Sequence, residues 1–476
     1  PAAYCAAGFI PTANADGTYG VKAGAYVAQI GDVKYETLKD AINAAKAGET
    51  VTLLVNTTED VTINKDITLD LGGKTLTNTG SGKATISVKD SAVVTVKNGF
   101  VMGGTKYYNI EVTKDSNANL TLMDVTATAG NTGSSMIDNW GTLTIESGTY
   151  EGGLNVVKSE EGSTLTINGG KFTGTYAPSG SAYNGVILSA GTTTINDGEF
   201  IQSVTTPNWR YPQVVLVMQV TGYTSLVTVN GGTFTNNYDS STAKIFHPGK
   251  GATSDNLAVK GGTFNKSVPD SYFEDGYFAK RTDGVYKTVG PFDAKIGTTG
   301  YATLEAAFAA AKNGDTITLL TDCSGNGIKV KDNTFTGKGL TVDFAGHTYT
   351  VGGVLVGSAT TGTNAFQLLK GNKITFKNGT IAGVAENTKP AEDTPNWHGA
   401  PAMVIQNYCD LTLKNMTISG GDETVYTMSN NCGNVVIENT TINAGKAKGY
   451  GYGPFAFDAC GYDGYTGVSV TVKGTS

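Results

Sequence analysis

Three tryptophans stand in the 476-residue chain, and each follows an asparagine: Asn139-Trp140, Asn208-Trp209 and Asn396-Trp397. Two of them close an identical Thr-Pro-Asn-Trp, residues 206–209 and 394–397, in long polar inserts. An indole face flanked by hydrogen-bonding side chains is a platform on which a sugar ring can stack. The alternative use of such a ring is to fold its loop back and shield apolar surface. That second fate is favoured, because aromatic residues are commonly buried. Trp209, Trp397, Trp140, Asn208, Asn396 and Tyr211 are the candidate glycan-binding residues, with both fates open.

Other reactive residue types are sparse. Arginine occurs only twice, at Arg210 and Arg281, and the three histidines, His247, His347 and His398, are scattered. A metal site needs several ligands converging on one point, and no spacing here supplies them. Adjacent acids at Glu160-Glu161, Glu274-Asp275, Glu392-Asp393 and Asp422-Glu423 could hold calcium with nearby carbonyls. Such pairs are more often charged loop tips, so structural calcium is the one cofactor left open and none is expected otherwise. Cys409, Cys432 and Cys460 each follow a strand-like run, which places them at one corner of successive turns of the chain. They form either an interior row of thiols or a disulfide between neighbours. No histidine is placed by the sequence to activate a thiol. We assign no catalytic residue and no metal ligand.

The elements that must position these residues are read from repeats. QIGDVKYETLKDAINAAKAGETVTLL (29–54) and KIGTTGYATLEAAFAAAKNGDTITLL (295–320) match at an offset of 266 residues. Upstream, the Asp-Gly-x-Tyr of residues 16–19 matches that of 283–286. Residues 1–24 therefore read as the tail of a preceding module, 25–289 as a complete module and 290–476 as a second, truncated one. Inside each module a shorter phrase recurs: apolar-x-apolar-x, a Gly/Asn/Asp pair, then an aromatic or aliphatic residue. LTINGGKF (165–172), TTINDGEF (193–200) and VTVNGGTF (227–234) are copies, as are ITFKNGTI (374–381) and LTLKNMTI (411–418). Copies lie from 22 residues (Ile145 to Ile167) to 37 residues (Phe376 to Leu413) apart. One coil of fixed size with loops of variable length gives such spacing, so the fold class expected is all-β, a parallel solenoid. Each module opens with one short helix: Thr37 is its N-cap, Leu38, Ala41, Ile42 and Ala45 its apolar stripe, and Gly48 its stop. That helix would cover strand edges otherwise open to aggregation.

The helix, the following T-V/I-T-L-L, the LDLGGKTL of residues 69–76 and the NGG-x-F phrases together resemble the pectate-lyase-like right-handed parallel β-helix superfamily. More narrowly, tandem modules of this kind resemble large cell-surface repeat proteins of Gram-positive gut bacteria. The resemblance covers essentially the whole chain. It implies tandem right-handed β-helices, each with one N-terminal capping α-helix, and an extracellular, cell-surface or secreted location. Asn139, Asn407 and Asn430 resemble the corner asparagine ladders of this fold. Enzymes of the superfamily cleave polysaccharides. Their Asn-Thr-Asp, Asp-Asp and Gly-His-Gly segments are absent, and Arg210-Tyr211-Pro212 is only half of an Arg-x-Pro-x-x-Arg, with Val215 in the last place. The function expected is a non-enzymatic stalk, adhesin or cell-envelope fibre, with loops that bind host or dietary glycans or matrix, or with self-association into fibres. The alternative is a secreted polysaccharide lyase or glycoside hydrolase. A net charge of −7 with two arginines argues against nucleic acid, and no long apolar run inserts this segment into a membrane.

Overall fold

In the computed structural model residues 5–475 are described, apart from 7–8, 115–116, 131–132, 177–183, 206–212, 241–242, 358–361, 385–398, 448–452 and 463–466. The chain divides into two compact units, Pro1–Glu274 with Phe278–Val289, and Asp275–Tyr277 with Gly290–Ser476. Both are all-β with parallel sheets, and the only two α-helices among the described residues are seven residues long.

In the first unit the copies of the phrase pair with one another in register. Ile145, Ile167, Ile195, Val229 and Val259 form one parallel row. Tyr150, Phe172, Phe200, Phe234 and Phe264 form the next. The rows follow from strand alternation: Val227 and Val229 are fully buried, and Thr228 between them is half-exposed. A glycine with positive φ separates the two rows in each copy, as at Gly198 (φ 132°) and Gly232 (φ 99°). A side chain is strained there, and the ring two residues on packs against the bare backbone. A further, eight-stranded parallel sheet is built from short strands, among them Ile86–Val88, Ile110–Val112, Ile137–Asn139 and Val157–Ser159.

The parallel ladders are closed by antiparallel hairpins. At the start, Ala28–Ile30 pairs antiparallel with Val33–Tyr35 and with Thr50–Leu53. At the end, Phe278–Thr282 and Val285–Val289 form a hairpin around Asp283-Gly284, both at positive φ, and its second strand pairs antiparallel with Thr263-Phe264. The matching Asp-Gly segment near the start, between Phe9–Ala13 and Tyr19–Ala23, is also an antiparallel hairpin.

Helix α1 (Leu38–Ala44) begins as its residue types demand. Thr37 Oγ1 accepts from Asp40 N at 3.0 Å, and Leu38, Ala41 and Ile42 are buried. Its end differs from the expectation of a Gly48 stop. Ala45 already leaves the helix at ψ 140°, and Lys65 Nζ donates to the Asn43 and Ala45 carbonyls at 2.8 and 3.1 Å. Gly48 instead turns the chain further on, at φ 84°. In the second unit helix α2 (Leu304–Ala310) repeats the design with Thr303 as N-cap and Leu304, Ala307 and Phe308 buried. Its parallel ladders run through Thr316–Leu319, Leu340–Asp343, Lys373–Gly383, Asp410–Ser419, Asn434–Glu438 and Ser469–Lys473.

Candidate functional site

The eight-stranded sheet of the first unit carries one outward row. Its register runs Thr62, Ser87, Glu111, Asp138, Lys158, Leu188, Leu216, His247. Each is the residue whose neighbours on both sides turn inward, so consecutive members stand side by side on one face. Three charged residues in succession, Glu111, Asp138 and Lys158, form the centre of a cluster.

Loop residues close over that centre. Tyr107 and Tyr108 lie with ring centroids 4.5 Å apart, and Ser87 Oγ donates to Glu111 Oε2 at 3.3 Å. Burial, partly offset by the Ser87 and Tyr107 hydrogen bonds, pushes the Glu111 carboxyl up. Burial pushes the Tyr108 hydroxyl up too, reinforced by the charge of Asp138. Asp138 is 1% exposed, and its Oδ2 accepts from Trp140 Nε1 at 2.9 Å. Its Oδ1 is buried and meets no donor among the described residues. Glu160, 6% exposed, stands with its carboxyl within hydrogen-bonding reach of Asp138 and in a short ion pair with Lys158. Burial first, and then the charge of Glu160, push Asp138 up to about 7; Lys158 and the Trp140 hydrogen bond work the other way. Beside the cluster lies a cavity of about 370 Å³, lined among others by Tyr108, Ser135, Asn155 and Lys158. Asn155 Nδ2 donates to Ser135 Oγ at 3.1 Å, which fixes that wall.

Of the residues expected to form a glycan platform, Trp140 belongs to this cluster. It is half-buried, its N–H is used by Asp138, and Lys114 Nζ sits 4.3 Å from its ring centroid. Trp209, Trp397, Asn208, Asn396 and Tyr211 lie outside the described residues, as do Arg210 and His398. The acidic pairs are met by lysines rather than by one another. Lys158 faces Glu160, Lys260 lies 3.5 Å from Glu274, and Lys446 lies 2.7 Å from Asp422; Glu392-Asp393 is outside the described residues. Among the described residues no group of three or more ligating side chains converges. Glu160 is thus no loop tip, as its place in an acidic pair suggested, but a buried member of the cluster.

No family model, curated protein or solved structure gives a significant match to this chain. Cys323, Cys409, Cys432 and Cys460 carry free thiols. Burial, with Asp410, pushes the Cys409 thiol up, and burial with Asp293, Glu305 and Asp322 pushes Cys323 up to about 12. Neither is a thiolate at neutral pH, so neither is poised as a nucleophile. Asn407 Nδ2 donates to Asn430 Oδ1 at 2.9 Å, a two-rung asparagine ladder. Asn139 instead donates to the Thr164 carbonyl at 3.0 Å and reaches Ser159 Oγ at 3.4 Å. The Glu111–Asp138–Lys158 row was missed by sequence reasoning. Aligning the short strands Ile-Glu-Val, Ile-Asp-Asn and Val-Lys-Ser would have found it.

Proposed function

We propose that this chain is a non-enzymatic repeat segment of a bacterial cell-surface protein, made of tandem right-handed parallel β-helices of the pectate-lyase-like kind. Its role is that of a stalk or fibre whose loops offer binding surface to glycans. The observation that carries this reading is repetition of one design in both units. A Thr-capped helix, an antiparallel opening hairpin and in-register parallel ladders recur, as a rod extended by copying would require. The outward row supports the non-catalytic side, because Glu111, Asp138 and Lys158 are engaged by Ser87, Trp140 and Glu160 in turn. The Trp209 and Trp397 loops are the proposed glycan platform, and the extracellular location and any self-association belong to the same reading. Binding of the full chain to a panel of polysaccharides, mucins and matrix proteins tests it. Capture of one ligand class, lost in the Trp209→Ala/Trp397→Ala double variant, is the result expected. Binding unchanged in that variant would move the site elsewhere, and no binding would leave only the stalk.

A second reading, a polysaccharide lyase or glycoside hydrolase, has one observation on its side. Asp138, a carboxyl held near neutrality, sits in the cluster that borders the 370 Å³ cavity. Product release that disappears in Asp138→Ala would favour it.

A further inference from the structure

We propose that Lys158 and Asp138 condense into an intramolecular amide bond, with Glu160 as the proton acceptor that frees the lysine amine. The two residues are direct partners in neighbouring parallel strands, Ile137–Asn139 and Val157–Ser159. Their side chains rise together from one face. Glu160 touches the Lys158 ammonium on one side and reaches the Asp138 carboxyl on the other. The carboxyl to be attacked is buried, and its Oδ1 has no donor among the described residues. An uncompensated carboxylate is costly in such a place, so the neutral acid, with its proton on Oδ1, is the favoured form. Its elevation to about 7 agrees with that.

The step balances without an oxidant or cofactor. Lys158 passes one proton to Glu160 and becomes a free amine. The amine attacks Asp138 Cγ, making the C–N bond. The tetrahedral centre then expels the Oδ1 hydroxyl, which leaves as water with a second proton from the nitrogen. One amide, one water and a protonated Glu160 result, with charge conserved. Trp140 Nε1, 2.9 Å from Oδ2, donates to the oxygen on which negative charge develops. The burial of Asp138 limits the water that would reverse the reaction. The bond would staple two successive strands of the sheet, a device that suits a chain exposed to pulling or proteolysis. It does not depend on glycan binding.

The test is the intact mass of the full chain, measured after denaturation. The wild type is expected to be lighter than its sequence by one water, with a digest joining the peptide that holds Asp138 to the one that holds Lys158. Lys158→Arg and Glu160→Gln should restore the full sequence mass. Asp138→Asn provides a positive arm that misfolding cannot mimic. Attack on an amide expels ammonia, so that chain should reach the same final mass as the linked wild type. A wild type at full sequence mass, or a water loss that survives Lys158→Arg, overturns the proposal. A water loss that survives Glu160→Gln overturns the part given to Glu160.

Discussion

The two units turn their corners with different chemistry. In the later copies of the first unit the corner is a glycine with positive φ, and an aromatic ring follows two residues later. A Cβ on Gly198 would stand 3.1 Å from the Phe200 ring, so the glycine provides both the backbone angle and the floor for the ring. Rings at the same position in successive copies must then stack. Tyr150, Phe172, Phe200 and Phe234 have centroids 5.0, 5.0 and 4.8 Å apart and planes within 12° of parallel. The second unit turns at asparagines in the left-handed region, Asn378 and Asn415 within long strands and Asn439 between two short ones, and follows each with isoleucine three residues on. Its buried rings come from different positions and meet edge-on, Phe344 with Phe376 at 84° and Tyr349 with Phe366 at 69°.

One feature is shared across that difference. Asn230 donates to Asn196, Asn196 to Asn168 and Asn168 to Glu146, while Asn439 donates to Asn415, Asn415 to Asn378 and Asn378 to Asp343. Each outer row of amides ends on a carboxylate, the strongest acceptor available to it. Corner residue and core residue therefore change together, while the outer amide ladder persists, built in the second unit by the corner asparagines themselves.

The comparison breaks most visibly at the stacked rings. Phe200→Ala removes a ring packed on both faces and should cost about 3–5 kcal/mol in denaturant unfolding of the full chain. A cost near that of a surface change would mean the stack is not the core. The corner itself comes next. Gly198→Ala forces a side chain into φ 132° against the ring and should cost about 1–3 kcal/mol. Asn415→Gly relieves a left-handed asparagine at φ 52° while giving up its amide rung, and should shift stability by less than about 1 kcal/mol. Equal losses at both positions would erase the distinction between the corners.

The helix starts sharpen the same contrast on a smaller scale. In the first unit Glu59 accepts from Leu38 N and Lys39 N at 2.9 and 3.0 Å, reaching the helix from the link between Thr57–Thr58 and Val61–Ile63. In the second the acid is on the helix: Glu305 Oε1 accepts from Asn326 N, and its buried Oε2 meets no donor among the described residues. The Tyr349 hydroxyl, near Glu305, already donates to the Asn326 carbonyl at 2.7 Å. Glu59→Gln should cost about 1–2 kcal/mol, because one backbone N–H loses its acceptor and the favourable charge at the helix start is lost. Glu305→Gln should be neutral or slightly stabilising, since its amide can donate to the Tyr349 oxygen.

A pH slope is expected from the charged cluster of the first unit. In Lys158→Arg, which keeps a cation but cannot form the amide, Asp138 remains titratable. Its folded-state value, raised by burial and by Glu160, lies near 7, above an unfolded value of about 4. Stability is then fully present below about 4 and is lost as pH rises toward 7. Asp138→Asn in that background should flatten the slope, read from unfolding midpoints across that range.

The sequence made the ladders legible because NGG-x-F couples a backbone requirement to a core requirement in adjacent positions. Thr37 with the Leu38, Ala41 and Ile42 stripe identified the helix for the same reason, since cap and face are local. The early end of α1 was not legible, because Lys65, which takes its last carbonyls, lies 20 residues or more further on, in the bend between Val61–Ile63 and Ile67–Asp70. The acid–lysine cluster was hidden for a related reason. Glu111, Asp138 and Lys158 are 20–27 residues apart at irregular spacing, and each alone looks like an ordinary outward charge between inward residues. Only the register of the short strands brings them together.

The most direct measurement incubates the full chain with each polysaccharide it binds and follows new reducing ends and unsaturated products. A non-catalytic stalk with binding loops predicts retention on the ligand and no product. Turnover that depends on Asp138 or Arg210 would contradict it and make the chain an enzyme.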